Sequence, residues 1–260
     1  MGFWKSESTK IRNKTQSPPR RDNMTRMMKT WQTCSYTTYP EHGFSQPQRN
    51  KLQMGQHGLI SSSKLAYVGI DIIALQEPAM NFLGKTIVAR DWIPIYTSIH
   101  DKEPGKTRSL MLINTTLPTK SWEQVEFPYG DVTVLRIAGR WGKMTIFNIY
   151  NDCLHDRTIV EQTKFHRNNH GTPTGNDAMA NAVHMVWVGN FNRHHPAWDR
   201  PEDSHLFTRE VLEAVETLIR ATAELRLDMV LLAGIPTCQH YFTKKWSRLD
   251  QVFVMEPSTP

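Results

Sequence analysis

Five residues at the ends of apolar runs could together bind a divalent cation and a phosphate. Glu77 follows one run, Tyr150 closes a second, Asn190 and Asn192 follow a third, and Asp250 precedes a fourth. Carboxylate oxygens such as those of Glu77 and Asp250 suit Mg²⁺, which binds through few carboxylates and keeps several waters. Amides and a phenol can hydrogen-bond phosphate oxygens. Each residue taken singly is more often a turn or strand-end residue, so only their combination favours phosphate chemistry.

The apolar runs have the length of buried strands. The sequence predicts strands at Ile70–Gln76, Leu110–Asn114, Val132–Ala138, Met144–Tyr150, Ala182–Val188 and Gln251–Met255. An amphipathic pattern predicts a helix over Thr208–Leu227, and a weaker pattern predicts one over Arg157–Arg167. This order favours an α/β layered domain with buried sheets. In such domains, loops at converging strand ends direct side chains into a shared crevice.

The positive charge of the chain is concentrated at one end. The 260 residues carry a net charge of +6, and residues 1–30 hold eight Lys/Arg against Glu7 and Asp22. The remaining residues balance at 23 basic and 23 acidic, so bulk charge does not predict nucleic-acid binding by the body. The basic segment could attract a polyanion or could be a solvated leader. We expect a basic, mostly disordered segment over 1–60 and a single domain over 61–260.

The composition also bears on the compartment. The longest apolar stretches have about five or six residues, far below the ~18 that span a bilayer. Met1–Lys10 lacks an apolar leader region, and three cysteines are too few for a disulfide framework. These features predict an intracellular protein of the nucleus or cytoplasm, with no membrane partner.

Four motifs taken together resemble a known superfamily. They are DIIALQEP, FNIYND, WVGNFNRHHPAWDR and KWSRLDQVFV, in this order between Ile70 and Met255. The set resembles the endonuclease/exonuclease/phosphatase superfamily and, more narrowly, the apurinic-type endonuclease domain of fungal LINE-type (non-LTR) retrotransposons. The resemblance implies a four-layer α/β sandwich, in which two mixed β-sheets pack face to face with helices outside.

The resemblance also implies a role for each residue. Glu77 would hold Mg²⁺ or Mn²⁺, Tyr150 would contact the scissile phosphate, and Asn192 would orient it. Asn190 stands where the family has a catalytic Asp, and Asp250 would orient a catalytic His. The implied activity is metal-dependent hydrolysis of DNA phosphodiesters, with a reverse transcriptase domain as a partner in the parent element.

Three departures from the family pattern predict a weak or inactive enzyme. Asn190 replaces the Asp, and an amide cannot take a proton from water. The chain ends at Pro260 without the family's later Asp-His pair and last strand, so we expect a C-terminally truncated domain. The stretch Trp31–Ser63 shows no strand pattern, which predicts that the first strand is lacking, and Asn50 is the nearest stand-in for its metal-proximal Asn. The alternatives are a non-catalytic nucleic-acid-binding remnant and, ranked lowest, a phosphatase or lipid phosphodiesterase.

Several other residues have two interpretations. His194–His195 could hold zinc, but packing within their loop is favoured because a third ligand is not evident. For Trp198 and Trp246, a place in the core and stacking on bases are equally favoured. Arg108 and Arg193 are candidate phosphate contacts, although surface charge is the default.

Overall fold

The computed structural model describes residues 33–35, 70–139, 142–169, 183–239 and 246–255. The strands there are β1 Thr33–Ser35, β2 Ile72–Gln76, β3 Trp92–Tyr96, β4 Ser109–Asn114, β5 Trp122–Val125, β6 Val132–Gly139, β7 Gly142–Tyr150, β8 Val183–Asn190, β9 Asp228–Met229, β10 Cys238–Gln239, β11 Trp246–Ser247 and β12 Asp250–Met255. The α-helices there are α1 Arg157–Asn169 and α2 Arg209–Glu224, and short 3₁₀ helices span Pro104–Lys106, Thr119–Ser121 and Pro201–Leu206. No helix in these ranges is both long enough and apolar enough to span a membrane.

The first sheet has the strand order β1-β2-β4-β3. Strands β2, β4 and β3 are antiparallel, and β1 adds to β2 in parallel. The expectation that the chain lacks a first strand is therefore wrong, because Thr33–Ser35 occupies that edge of the sheet. The three residues of β1 are too few to show a hydrophobic periodicity, so the sequence pattern did not reveal this strand. Its pairing with β2 identifies it. Asn50 lies outside the described residues.

The second sheet has the order β5-β6-β7-β8-β12-β9. Its strands are antiparallel except for β7 and β8, so this sheet is mixed. Strands β2 and β4 contact β6, β7 and β8 across the gap between the sheets. On the other face of the second sheet, Ile159 of α1 and Leu218 of α2 join Phe147 and Trp187 in a buried core. This arrangement confirms the predicted α/β sandwich of two sheets packed face to face with outer helices.

All six predicted strands and both predicted helices are present, with ends displaced by a few residues. Among the strands of four or more residues, prediction missed β3 and β5, which both lie at sheet edges. Pro94 interrupts the apolar run of β3, and a proline is tolerated there because an edge strand leaves N–H positions unpaired. Strand β5 is largely exposed and therefore has little apolar content to detect.

Candidate active site

The sequence-predicted residues lie where strands of both sheets end at one edge, which we call the rim. In the second sheet Tyr150 pairs with Asn190, and Asn190 pairs with Asp250. Because neighbouring strands lie about 4.8 Å apart, these three residues form a row about 10 Å long. In the first sheet Glu77 directly follows the last residue of β2, and its N–H donates to the carbonyl of Arg108, 2.8 Å away.

Two contacts join the rim of one sheet to the rim of the other. The Tyr150 phenol, at the end of β7, lies close enough to the Glu77 carboxylate after β2 for each group to shift the pKa of the other. The Arg108 guanidinium, just before β4, binds Asp131 at 2.7 Å and 2.8 Å and Asp152 at 2.7 Å. Glu77 and the row of Tyr150 are therefore parts of one continuous edge.

Glu77 is held in an unusual conformation and environment. Its φ is 49°, in the left-handed region that a side chain with Cβ adopts at a cost. Its pKa is raised above the ordinary value, chiefly because burial disfavours the charged form, although the Tyr150 hydroxyl and the nearby Arg108 oppose this. The nearby charge of Asp152 raises the pKa of Glu77 further. The pKa of the Tyr150 phenol is also raised, by burial first and then by the charge of Glu77.

We call Glu77, Arg108, Asp131, Tyr150 and Asp152 the carboxylate half of the site. Arg108 organises it, because its guanidinium lies 4.7 Å from the centroid of the Tyr150 ring while it binds both aspartates. The pKa of Asp152 is lowered: burial opposes this, but the hydrogen bonds from Arg108 and from the N–H of Leu154 outweigh it. Three carboxylates face one guanidinium, so this half carries excess negative charge.

We call Asn151, Asn190, Asn192, Arg193 and Asp250 the amide half. The Oδ1 of Asn190 accepts the N–H of Asn192 at 2.9 Å, and the Nδ2 of Asn192 donates to the carbonyl of Asn151 at 2.8 Å. The Nδ2 of Asn151 in turn donates to the carbonyl of Phe191 at 3.0 Å. Asn190 and Asp250 are buried side by side in the row. Neutral amides therefore fix this half.

Gly189 and Asn192 explain the local shape of the amide half. A Cβ on Gly189, whose φ is 145°, would lie 1.9 Å from the carbonyl oxygen of Ile149, so only glycine lets β8 approach β7 here. Asn192 has a φ of 50°, which asparagine tolerates better than most residues. Two of the three described non-glycine residues with positive φ, Glu77 and Asn192, are thus sequence-predicted site residues.

Arg193 corrects a prediction. Its side chain is only 4% exposed, so it is not available as a phosphate contact. Its five N–H donors meet the carbonyls of Ala214, Asp152, Asn192 and His155 and, at 2.5 Å, the Asp156 carboxylate. Arg193 therefore binds the loop after β7, the loop after β8 and helix α2 together. Its place beside the NFN motif suggested a phosphate contact, and nothing in the sequence marked it as buried.

Other residues of the loop after β8 also pack internally. Trp198 is buried and its Nε1 donates to the carbonyl of Arg193 at 3.1 Å, so it belongs to the core. Nδ1 of His194 lies 3.2 Å from Asp199, and Nδ1 of His195 accepts the N–H of Ala197 at 3.1 Å. These contacts agree with loop packing. Trp246, by contrast, is half exposed.

Sequence reasoning missed a polar layer between the sheets just behind the rim. Asn148 of β7 is fully buried, and its Nδ2 donates to the carbonyls of Leu75 and Leu110, both at 2.8 Å. Its Oδ1 accepts from the Nε2 of Gln76, and its carbonyl accepts from Ser109, 2.8 Å away. The available signal was a lone asparagine inside the apolar run MTIFNIY. These hydrogen bonds fix the position of the first sheet relative to the second at the rim.

The described residues contain no group of three or more His, Cys, Asp or Glu side chains that could hold a metal ion. A magnesium ion does not need such a group, because it binds through one or two carboxylates and otherwise keeps waters. The oxygen donors of the rim include the carboxylates of Glu77, Asp152 and Asp250 and the amides of Asn190 and Asn192.

Comparison with known proteins adds the fold class. No family model and no curated protein matches the chain. Solved structures do match. An AP endonuclease, LMAP, from Leishmania major aligns with a TM-score of 0.54 at 11% identity, over 79% of this chain and 74% of that one. The endonuclease domain of TRAS1, a telomere-specific non-LTR retrotransposon, aligns with a TM-score of 0.51 at 14% identity, over 74% and 76%.

An endonuclease/exonuclease/phosphatase family protein from Leptotrichia buccalis aligns with a TM-score of 0.50 at 11% identity, over 87% of each chain. At such identities the likeness concerns the fold alone. The protein has the endonuclease/exonuclease/phosphatase fold.

Proposed function

We propose that the protein is a metal-dependent phosphodiesterase of the endonuclease type, acting on DNA, whose activity is weakened by Asn190. The observation that carries the proposal is the continuity of the rim, where Glu77 contacts Tyr150 and Tyr150 begins the row that ends at Asp250. Left-handed backbone at Glu77 and Asn192 supports it, because such strain gathers at functional sites. The endonucleases among the fold neighbours support the choice of DNA.

The residues present fit a magnesium or manganese ion. The carboxylate half has three carboxylates against one guanidinium, and Glu77 lies within the electrostatic influence of Asp152. A hard cation would lower the cost of keeping Glu77 ionised while half-buried. Glu77 would hold the ion. Such an ion, when bound, stabilises negative charge that develops on a phosphate.

The other rim residues would position the phosphodiester. The amide of Asn192 gives one N–H to the carbonyl of Asn151 and has a second that can be donated to a phosphate oxygen. The single proton of the Tyr150 hydroxyl would be donated to phosphate when the Glu77 carboxylate holds the ion. Asp250, at the end of the row, keeps the proposed role of orienting a catalytic group. Asn190 can orient a water through its amide but cannot accept its proton, which accounts for the expected loss of rate.

The finer assignment is to the apurinic-type endonuclease domains of fungal LINE-type retrotransposons, with a reverse transcriptase in the parent element. It rests on the four motifs and on their order. The fold similarity to the TRAS1 domain supports a retroelement origin.

A plasmid-nicking assay tests the proposal. Full-length protein at high concentration should convert supercoiled plasmid to the open circle slowly and only with Mg²⁺ or Mn²⁺. Glu77→Gln should abolish the residual activity, while Glu126→Gln, at an exposed position between β5 and β6, should leave it unchanged. Nicking that persists in Glu77→Gln or in excess chelator would refute the proposal.

A second candidate is a non-catalytic nucleic-acid-binding protein. The amide at Asn190 and the eight cations of residues 1–30 favour it. Replacing those eight Lys/Arg with Gln in the full chain should abolish DNA binding if this candidate is right. If the rim binds DNA, affinity should fall but a Mg²⁺-dependent component should remain.

A further inference from the structure

The large apolar side chains exposed most, among the described residues, all belong to loops at or near the rim. Phe82 is 95% exposed and Leu83 67% exposed in the loop after β2. Leu154, after β7, is 87% exposed, and Leu232, in the loop that leads from β9 toward the start of β12, is 74% exposed. Exposed apolar groups of this size mark surfaces that bind a partner.

Phe82 and Leu83 are displayed by a rigid turn. The Oδ1 of Asn81 accepts the N–H of Leu83 at 2.9 Å and that of Lys85 at 3.0 Å. The N–H of Asn81 donates to the carbonyl of Lys85, and its carbonyl accepts the N–H of Gly84, both at 2.9 Å. Gly84 has a φ of 70°, which closes the turn. The two apolar side chains are therefore held outward, at little further entropic cost on binding.

The turn is fastened to the same edge of the first sheet as Glu77. The Tyr96 hydroxyl, at the end of β3, accepts the N–H of Thr86 at 2.8 Å. A Cβ on Gly84 would lie 2.9 Å from the Cβ of Pro104, so the turn packs against the segment that leads into β4. Strand β3 ends and β4 begins at the rim, as their register with β2 shows.

We propose that Phe82 and Leu83 form a wedge that inserts between stacked bases of DNA bound at the rim. This inference rests on the proposed function. Phe82 is five residues along the chain from Glu77, so the two lie at most about 18 Å apart, the length of about five base pairs. A duplex that has a phosphodiester at Glu77 and runs along this edge of the first sheet would therefore pass within reach of the turn. Phe and Leu are among the residues that proteins insert between base steps. Lys85 and Lys106 on the flanking loops lie in exposed ion pairs with Asp101 and Glu103 and can exchange these partners for adjacent phosphates.

Two duplexes of equal length and charge test the wedge, one fully paired and one with a two-nucleotide bulge. Opening a paired step costs free energy, so a protein that wedges open its DNA binds the bulged duplex more tightly. Full-length protein should prefer the bulged duplex by about tenfold, the scale of one stacked base. The double variant Phe82→Ser, Leu83→Ser should lose this preference but keep its affinity for the paired duplex.

The control is Leu212→Ser, a partly exposed apolar residue on the outer helix α2, which should keep the preference. The salt dependence of binding should be the same in the wild type and in the double variant, because the wedge contacts no phosphate.

A preference that survives in the double variant, or no preference in the wild type, overturns the wedge while DNA binding and nicking still support the proposed function. If the wild type binds neither duplex, both proposals are wrong. If the double variant loses only binding to phosphatidylcholine vesicles, the turn is a membrane contact and the wedge is overturned.

Discussion

The two halves of the site are built from different chemistry. The carboxylate half is held by ion pairs of Arg108 and keeps the half-buried acid Glu77. The amide half has neutral hydrogen bonds around Asn190 and Asn192 at the rim, with the buried cation Arg193 behind them. The acceptor role of residue 190 toward the N–H of Asn192 suits Asn and Asp equally, so this hydrogen bond does not depend on which is present. The amide of Asn190 is therefore compatible with the local structure of this half.

The neighbour of Asn190 explains why the amide is well tolerated. Asp250 is its partner in the register between β8 and β12, and both side chains are buried. Two ionised carboxylates side by side in such a place repel each other. An amide at residue 190 removes this repulsion, whereas an aspartate would require a nearby cation.

The largest effect should come from Asn190→Asp. It introduces a group that can accept a proton from water, and general-base catalysis contributes about 10²–10⁴-fold. The rate of Mg²⁺-dependent plasmid nicking should rise by that factor. Asn114→Asp, at the opposite end of β4, makes the same charge change away from the rim and should leave the rate unchanged. Equal rates for Asn190→Asp and the wild type would show that the amide is not the defect.

The next effect concerns the support of the amide half. Arg193→Met removes five hydrogen bonds and leaves the partly buried Asp156 without its cation. Loss of one partner of a buried ion pair costs about 3–5 kcal/mol of unfolding free energy. Urea unfolding should show this loss, whereas Arg136→Met, in an exposed pair with Glu123, should cost less than about 1 kcal/mol. Similar losses for the two variants would contradict the structural role of Arg193.

Arg108→Met probes the support of the carboxylate half. The side chain of Arg108 is a third exposed, so we expect the variant to lose about 2 kcal/mol of unfolding free energy. This loss is below the range for a fully buried ion pair. The pKa of Asp152 is lowered in the folded state, so its stabilising contribution is present above its unfolded pKa of about 3.9 and is lost as pH falls through the folded pKa. The stability gap between wild type and variant should narrow below about pH 4. A difference in unfolding free energy that does not change with pH would show that Arg108 does not stabilise the ionised form of Asp152.

The smallest expected effect is a gain in the stability of the folded protein. The pKa of Glu77 is raised by burial, so its ionised form opposes folding above the unfolded pKa of about 4.3. Without metal, Glu77→Gln should melt at a higher temperature than the wild type at pH 7, and the two should converge below about pH 4. Glu126→Gln should show no such change. A lower melting temperature for Glu77→Gln at pH 7 would mean that the charge is already compensated.

The sequence predicted the framework well because apolar runs mark buried strands directly. β2, β4, β6, β7, β8 and β12 are all detected, whereas the edge strands β3 and β5 bury too little or contain proline. The motifs place Tyr150, Asn190 and Asp250 at the ends of apolar runs. The row that these residues form results from the meeting of those strand ends at one edge of the sheet.

The supports of the site were not predictable, because each is a contact between residues far apart in sequence. Arg108 meets Asp131 and Asp152 only after the two sheets stack. Asn148 reaches carbonyls of the other sheet, and no local pattern reveals its partners. Arg193 has the side-chain type of a phosphate ligand, but it is buried and holds two loops and helix α2 together.

Binding of Mn²⁺ to full-length protein, followed by water-proton relaxation, tests most directly whether Glu77 holds a divalent cation at the rim. We predict saturable binding by the wild type and at least about tenfold weaker binding by Glu77→Gln, with Glu126→Gln unchanged. Equal affinities of the wild type and Glu77→Gln would contradict the assignment of the cation to this rim.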